Sequence, residues 1–342
     1  MATPHPTAYE KDLYKVLQVH PRAQQEVIDA AYKSLLKLCA PRAEGDSETA
    51  ASALGEAHMI LANPRERRKY DDYRKRSSGK NTVGPYRIIK EVAQGGFGTT
   101  YKAEHALLGE HSCIKYCSEI SPASEEILRQ ETRAIWNLRH YGLPSMRDLL
   151  KLEDDSYALA MSWIEGPTLQ QAIEKNGRPD PENVAWVAER ILNTLVYLHH
   201  HGVLHGDIKP QNIIVQEDTH IVVLVDFGLS EVKPSAKSGS KGYTELFSPP
   251  EQIAGKTLVP GSDFYSLGMT MLYALGGGFK AAERKEVPAN VPDPMCDFIK
   301  SLIVRNVLER PTNTEKLFEE FQQVRLKSFG RDRSNMKQFS VK

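Results

Sequence analysis

The stretch "VLHGDIKPQNIIV", residues 203–215, decides how the rest of the chain is read. It places Asp207 two residues after His205, Lys209 two further on, and Asn212 five after the aspartate. A carboxylate so exposed to a partner can accept a hydrogen bond from a hydroxyl. An ammonium can neutralise a transferring anionic group, and an amide oxygen can ligate a hard divalent cation. Nineteen residues after Asp207, "VVLVDFG" puts Asp226 at the end of an apolar strand. A carboxylate is costly to bury there unless a metal or a donor meets it. Taken alone, Asp-Phe-Gly also fits a plain strand-ending turn.

Transfer of a phosphoryl group from a nucleotide needs more than this loop. Backbone must close over phosphates, and a cation must sit on them. Upstream, "VAQGGFGTTYK" offers Gly95, Gly96 and Gly98 in a turn between two strands, where missing Cβ atoms let amide N–H groups approach phosphate oxygens. A glycine-rich hairpin is also an ordinary turn. Lys115 lies on the next strand, "SCIKYC", and Glu131 follows sixteen positions later on a charged helix. At ~4 Å and an effective dielectric near 20, such a pair attracts by about 4 kcal/mol before desolvation, enough to aim the lysine. Each residue also has a bland reading, an edge-strand charge or an exposed helix acid. It is their joint order that argues against coincidence.

The bulk numbers permit this reading without demanding it. The 342 residues suggest two or three domains, and 44 basic against 44 acidic side chains leave no global pull toward nucleic acid or membrane. No apolar run approaches the ~18 residues of a membrane span, so a cytoplasmic setting is expected. Cys39, Cys113, Cys117 and Cys296 form no paired motif and fit a reducing compartment. Residues 9–76 read as four short helices, with one apolar face expected from Val27, Ala30, Ala31, Ser34, Leu35 and Leu38 on the second, Ser47 capping the third, and Asn63-Pro64 opening the fourth. Residues 77–85 read as a linker. Strands around the glycine turn and at "HSCIKYC" come next, then mainly helices, giving a small β-rich lobe against a larger helical one. Residues 326–342 read as a mobile, mildly basic tail.

With these motifs in place, residues 86–325 resemble a eukaryotic-type (Hanks-type) serine/threonine protein kinase domain. The resemblance implies an α+β, bilobal fold, with ATP and Mg2+ as cofactors and a protein as substrate. It implies that Lys115 pairs with Glu131, that Asp207 is the catalytic aspartate, and that Asn212 and Asp226 hold the metal. By the same likeness Thr244 in "YTELFSPPEQ" sits near Asp207 and Lys209, Glu251 pairs with Arg310, Asp263 braces the catalytic loop, and Met161 lies behind the adenine with "SWIE" as hinge.

Three departures shape the expectations. Ala93 replaces the first glycine of the phosphate loop, and Thr100 and Cys113 replace apolar residues over the adenine, so nucleotide affinity is expected to be weakened. Gly206 replaces the arginine that commonly pairs with a phosphate on the activation segment, so activity is expected without phosphorylation of Ser235, Ser238 or Ser240. Lys233, Lys237 and Lys241 are the segment's own cations. "HGD" also resembles small-molecule kinases acting on antibiotics or choline, although Lys209-Pro210 and "SPPEQ" favour a protein substrate. A pseudokinase scaffold acting through docking is the alternative from another class.

Ahead of this, "YKVLQV", "VIDAAYKSLLKL" and "LANPRERRKYDDY" resemble a J-domain. Where that family carries His-Pro-Asp, this chain has Ala40-Pro41-Arg42. The small all-α module is therefore read as J-like, an interaction or regulatory element toward a chaperone or other protein, or an appendage that only stabilises the kinase. Its basic stretch from Arg65 to Lys80 reads as a solvated helix face rather than a nucleic-acid site.

Overall fold

A computed structural model of the chain describes residues 12–39, 46–77, 82–95, 98–117, 122–152, 156–217, 219–235 and 238–331. The chain divides into two compact units, residues 1–89 with 151–156, and residues 90–150 with 157–342.

The first unit holds α1 (Leu13–Val16), α2 (Gln25–Cys39), α3 (Asp46–Leu61) and α4 (Pro64–Ser77). Its core gathers Leu13, Tyr14, Leu17, Ile28, Ala57, Ile60, Leu61 and Tyr70. The apolar face of α2 is rotated from the expected one: Ile28 is fully buried, whereas Val27 is 51% and Leu38 70% exposed. The residues that pack are Ile28, Tyr32 and Leu35, spaced i, i+4, i+7, and the aromatic ring of Tyr32 supplies the contact that a simple apolar count overlooks. Helix α3 begins at Asp46, one residue before the cap expected at Ser47. Asn63 does cap α4, its Oδ1 accepting from the backbone N–H of Arg65 at 3.0 Å and of Glu66 at 3.3 Å. Strand β1 (Thr82–Val83) then pairs antiparallel with the start of β2 (Tyr86–Gly95).

The second unit opens on a sheet. Strands β3 (Gly98–His105), β4 (His111–Cys117), β5 (Met146–Lys151) and β6 (Tyr157–Ser162) follow β2 in the order β2-β3-β4-β6-β5, with α5 (Pro122–Ile135) after β4. Registers Thr100↔Lys115 and Lys115↔Leu159 set Lys115 on the central strand. The helical lobe comprises α6 (Leu169–Asn176), α7 (Pro181–His200), α8 (Pro250–Ile253), α9 (Pro260–Gly276), α10 (Phe279–Arg284), α11 (Asp293–Leu302) and α12 (Thr314–Phe329). Short strands β7 (Val203–Leu204), β8 (Ile213–Gln216), β9 (Ile221–Leu224) and β10 (Glu231–Val232) pair as β7 with β10 and β8 with β9. These two ribbons bracket residues 205–212 and 225–230, which carry the chemistry.

Local sequence explains the helix ends. Thr168 and Gln171 form a reciprocal capping box at α6, and Asp180 with Pro181 starts α7. Helices α7 and α9 are buried along most of their length and form the spine of one continuous core reaching from Leu128 and Leu159 to Phe298 and Phe321. Each of Leu192, Leu195 and Leu198, fully buried, contributes about 1.5–3 kcal/mol of transfer free energy. Helix α12 continues to Phe329, beyond residue 326 where a tail was expected. Val324 and Phe329 pack against the core, and Arg325 is buried against Glu189, so the helix persists. Gly330 ends it at φ +65°. Residues 332–342 of the expected tail lie outside the described residues.

Candidate active site

The loop after β7 is held from beneath. Asp263, in the first turn of α9, accepts the backbone N–H of His205 on Oδ2 and that of Gly206 on Oδ1, both at 2.9 Å. His199 meets the same carboxylate at 2.8 Å and is itself oriented by Thr314 at 2.7 Å. Burial alone would raise the Asp263 carboxyl, yet the His199 hydrogen bond and charge, His205 and the Gly206 N–H hold it below the usual range. His205 is fully buried with its ring edge on Phe227, and its Nδ1 accepts the Asp207 N–H at 3.2 Å. Burial pushes that imidazole down, toward the neutral form this hydrogen bond requires.

Gly206 sits at φ +73°, and a Cβ there would lie 2.7 Å from the Leu229 carbonyl oxygen. The glycine thus relieves both backbone strain and a close approach, in addition to removing a phosphate partner.

Three donors converge on Asp207, which is 6% exposed. Its Oδ1 accepts the Thr244 hydroxyl at 2.8 Å, and its Oδ2 accepts Lys209 Nζ at 2.7 Å and Asn212 Nδ2 at 2.9 Å. Lys209 also donates to Thr244 Oγ1 at 3.0 Å. Asn212 Nδ2 donates once more, to the Asp207 carbonyl at 2.9 Å, which leaves its Oδ1 as the atom able to accept or ligate.

Opposite, Lys115 Nζ lies 2.9 Å from Asp226 Oδ1. Burial would raise the Asp226 carboxyl, but Lys115, the Gly228 N–H and Lys209 bring it down to about 2. Asp226 is held at φ +66°, a left-handed conformation unusual for a residue with a side chain. An ionised carboxylate with an amide oxygen fits Mg2+, which is commonly held by one or two carboxylates plus substrate phosphates. Among the described residues, no cluster of three or more His, Cys, Asp or Glu side chains could cage a metal on its own.

The nucleotide side is partly described. Gly95 ends β2 and Gly98 starts β3, while Gly96 lies outside the described residues. Gly98 has φ +133°, and a Cβ there would overlap the Tyr116 carbonyl oxygen, so its glycine character has a packing cause as well. Glu131 belongs to α5, but its side chain is outside the described residues, and its pairing with Lys115 stays an expectation. Met161 is buried on β6, directly opposite Cys113 of β4. Ala93 is exposed within β2 and is not among the positive-φ residues, so its methyl causes no backbone strain.

The segment downstream is pinned by a buried pair. Arg310 grips Glu251 bidentately at 2.7 and 3.0 Å, and Ser262 donates to the same carboxylate at 2.8 Å. Of the segment cations, Lys241 Nζ turns onto the Ser230 carbonyl at 2.5 Å, Lys233 uses its backbone N–H on Gly202, and Lys237 lies outside the described residues. Gln252, 1% exposed, was not singled out by sequence reasoning. Its Nε2 donates to the Gly206 carbonyl at 2.7 Å and to the Gly242 carbonyl at 2.9 Å. Bonds to backbone carbonyls leave no residue-pair signature in sequence.

Known proteins place this geometry. The DnaJ domain family profile matches residues 12–71, and the Protein kinase domain profile matches residues 86–323. The chain is similar to Serine/threonine-protein kinase PrkC of Bacillus subtilis, 27% identical over 283 residues, which are 77% of this chain and 43% of that protein. It is similar to Serine/threonine-protein kinase B of Synechocystis, 29% identical over 243 residues, 65% of this chain and 41% of that protein. It also resembles the human Hormonally up-regulated neu tumor-associated kinase, 27% identical over 314 residues, 81% and 42% respectively. The chain thus spans about two fifths of the length of these relatives. With the profile covering most of the chain and the buried network around Asp207 in place, the chain belongs to the protein kinase family, behind an N-terminal DnaJ domain.

Proposed function

We propose that the chain is a Mg-ATP-dependent protein-serine/threonine kinase that acts in the cytoplasm on a protein substrate. The observation that carries this is the hydroxyl of Thr244 donating to Asp207 Oδ1 at 2.8 Å while Lys209 lies within 3.0 Å of that hydroxyl. A substrate serine or threonine needs the same two partners. Asp207 orients the attacking hydroxyl, Lys209 balances charge on the transferring group, and Lys115 aligns the nucleotide phosphates beneath the turn of Gly95, Gly96 and Gly98. Glu131 steadies Lys115, Met161 lines the adenine side, and Thr244 sets the segment against the catalytic loop. Asn212 and Asp226 would hold Mg2+, which would supply positive charge against that of the phosphates.

The decisive test is labelled-ATP transfer by the whole chain and by an Asp207→Ala variant. Removing a positioned proton acceptor should cost roughly 10²–10⁴-fold. Transfer that survives the substitution would show that the site is misassigned. Transfer to aminoglycosides or choline in place of a generic protein would move the substrate to the small-molecule class, and a wild-type chain unable to transfer would favour a scaffold.

For the front module we propose a protein-binding role without chaperone activation, because Ala40-Pro41-Arg42 lacks the histidine and aspartate of the J-domain turn; this segment lies outside the described residues. The chain should leave the ATPase rate of an Hsp70-type chaperone unchanged. A clear stimulation would overturn that reading.

A further inference from the structure

We propose that Gln252 is a positioning residue that couples the activation segment to the catalytic aspartate without any phosphate. The proposal rests on the phosphotransfer reading of Asp207. Gln252 lies in α8, and the two hydrogens of its single planar NH2 group are divided between two parts of the site. One goes to the carbonyl of Gly206 at 2.7 Å, the peptide that leads directly into Asp207. The other goes to the carbonyl of Gly242 at 2.9 Å, two residues before the Thr244 that donates to Asp207.

The Gly206 residue is therefore held on both sides. Asp263 receives its N–H at 2.9 Å and Gln252 donates to its C=O, so the backbone feeding Asp207 has little freedom to turn. Because an sp2 amide keeps its two hydrogens at a set separation, it also fixes the distance between the catalytic loop and the segment. Two carbonyl acceptors assign the NH2 end of the side chain to this position without ambiguity.

Two further observations indicate that the donor end is what the residue contributes. Gln252 Oε1 is buried and has no hydrogen-bond partner among the described residues, so half of the amide is left unsatisfied. A side chain present only to fill space would be apolar. The backbone of Gln252 is tied to the segment as well, its carbonyl accepting the Ser240 hydroxyl at 2.7 Å. Where an arginine beside the aspartate would reach a phosphate, this chain has Gly206 and an uncharged amide on the next carbonyl.

The test compares wild type, Gln252→Met and Asp207→Ala as full chains. Met keeps the volume and removes both donors. The expected result is a fall in kcat on the order of 10²-fold, the scale of a small misplacement of a reacting group. The KM for ATP should stay at the wild-type value, and the unfolding temperature should fall only by the few degrees that two carbonyls left without a donor cost. In a Thr244→Val background the same substitution should lose much less, because both act on Asp207. Wild-type kcat in Gln252→Met would overturn the proposal, and so would a loss matched by a proportional rise in KM or by the fraction of chain unfolded at the assay temperature. Should Gln252→Met not fold, Gln252→Asn keeps the amide but falls short of both carbonyls and is read by the same criteria. If wild-type transfer does not depend on Asp207, the catalytic reading and this proposal fall together; an Asp207-dependent rate unmoved by Gln252→Met removes only the proposal.

Discussion

The two units of the chain spend their buried polar groups differently. In the first, such groups tie helix ends together: Tyr70 accepts the Leu13 N–H at 2.9 Å, and Tyr14 donates to Asp71 at 2.7 Å while receiving Arg67 at 3.0 Å. Burial, reinforced by the Asp71 hydrogen bond, pushes the Tyr14 phenol up to about 12, so it stays a neutral donor throughout the physiological range. In the second unit, Asp263 and Gln252 hold the backbone of the loop that carries Asp207, and Glu251 with Arg310 pins the segment downstream. The first unit keeps its core although the turn that defines the J-domain's activity reads Ala40-Pro41-Arg42. The residues that pack this unit are therefore separate from those of that turn.

Substitutions should separate the units by size of effect. The largest stability loss is expected for Glu251→Ala, which strands the guanidinium of Arg310, whose side chain is 0% exposed. Breaking one side of a buried pair costs roughly 3–5 kcal/mol. Denaturant unfolding of the full chain would measure it, and a loss well under 1 kcal/mol would mean that the pair is dispensable. Tyr70→Phe comes next. It removes the acceptor for the Leu13 N–H and should cost about 1–3 kcal/mol within the front helices. Hydrogen exchange at Leu13 reports it directly. Unchanged protection there would show that the phenol is not the anchor.

Sequence alone was informative where function demands a residue type at a set spacing. Thr244 lies on Asp207, Glu251 on Arg310 and Asp263 beneath the loop, as the family likeness implied. It was less informative about contacts that no local pattern marks. Lys115 on β4 has Asp226, in the loop after β9 and 111 positions away, at 2.9 Å, and nothing local in "SCIKYC" selects it. The rotated face of α2 was missed for a related reason. Val27 and Ile28 are interchangeable in an apolar count, and only the neighbouring α3 decides that Ile28 is inside. Helix α12 outlasts its expected end at residue 325 because Arg325, a charge beside the stretch read as a basic tail, is 3% exposed and paired with Glu189. A charge is read as solvent-facing until its partner, here 136 positions away, is seen.

The smallest effect is expected at the serines of the segment between Asp226 and Thr244. Replacing Ser235, Ser238 and Ser240 together with alanine should leave turnover within about threefold of wild type, because the bonds lost are neutral ones worth about 0.5–1.5 kcal/mol each. They include Ser240 Oγ to the Gln252 carbonyl at 2.7 Å, the Ser235 N–H to Ser238 Oγ at 2.9 Å and the contact between the Ser235 and Ser238 hydroxyls at 3.4 Å. The segment keeps its other ties. Thr257 donates to the carbonyls of Ser235 and Ser238, Lys241 to that of Ser230, and Arg310 retains Glu251. None of these carries a group that a phosphate would have to complete, and Gly206 offers no side chain to receive one. Steady-state transfer by the triple variant decides the matter: a near-total loss would mean that a phosphoserine, and not the contacts of Gln252 and Lys241, sets the order of the segment.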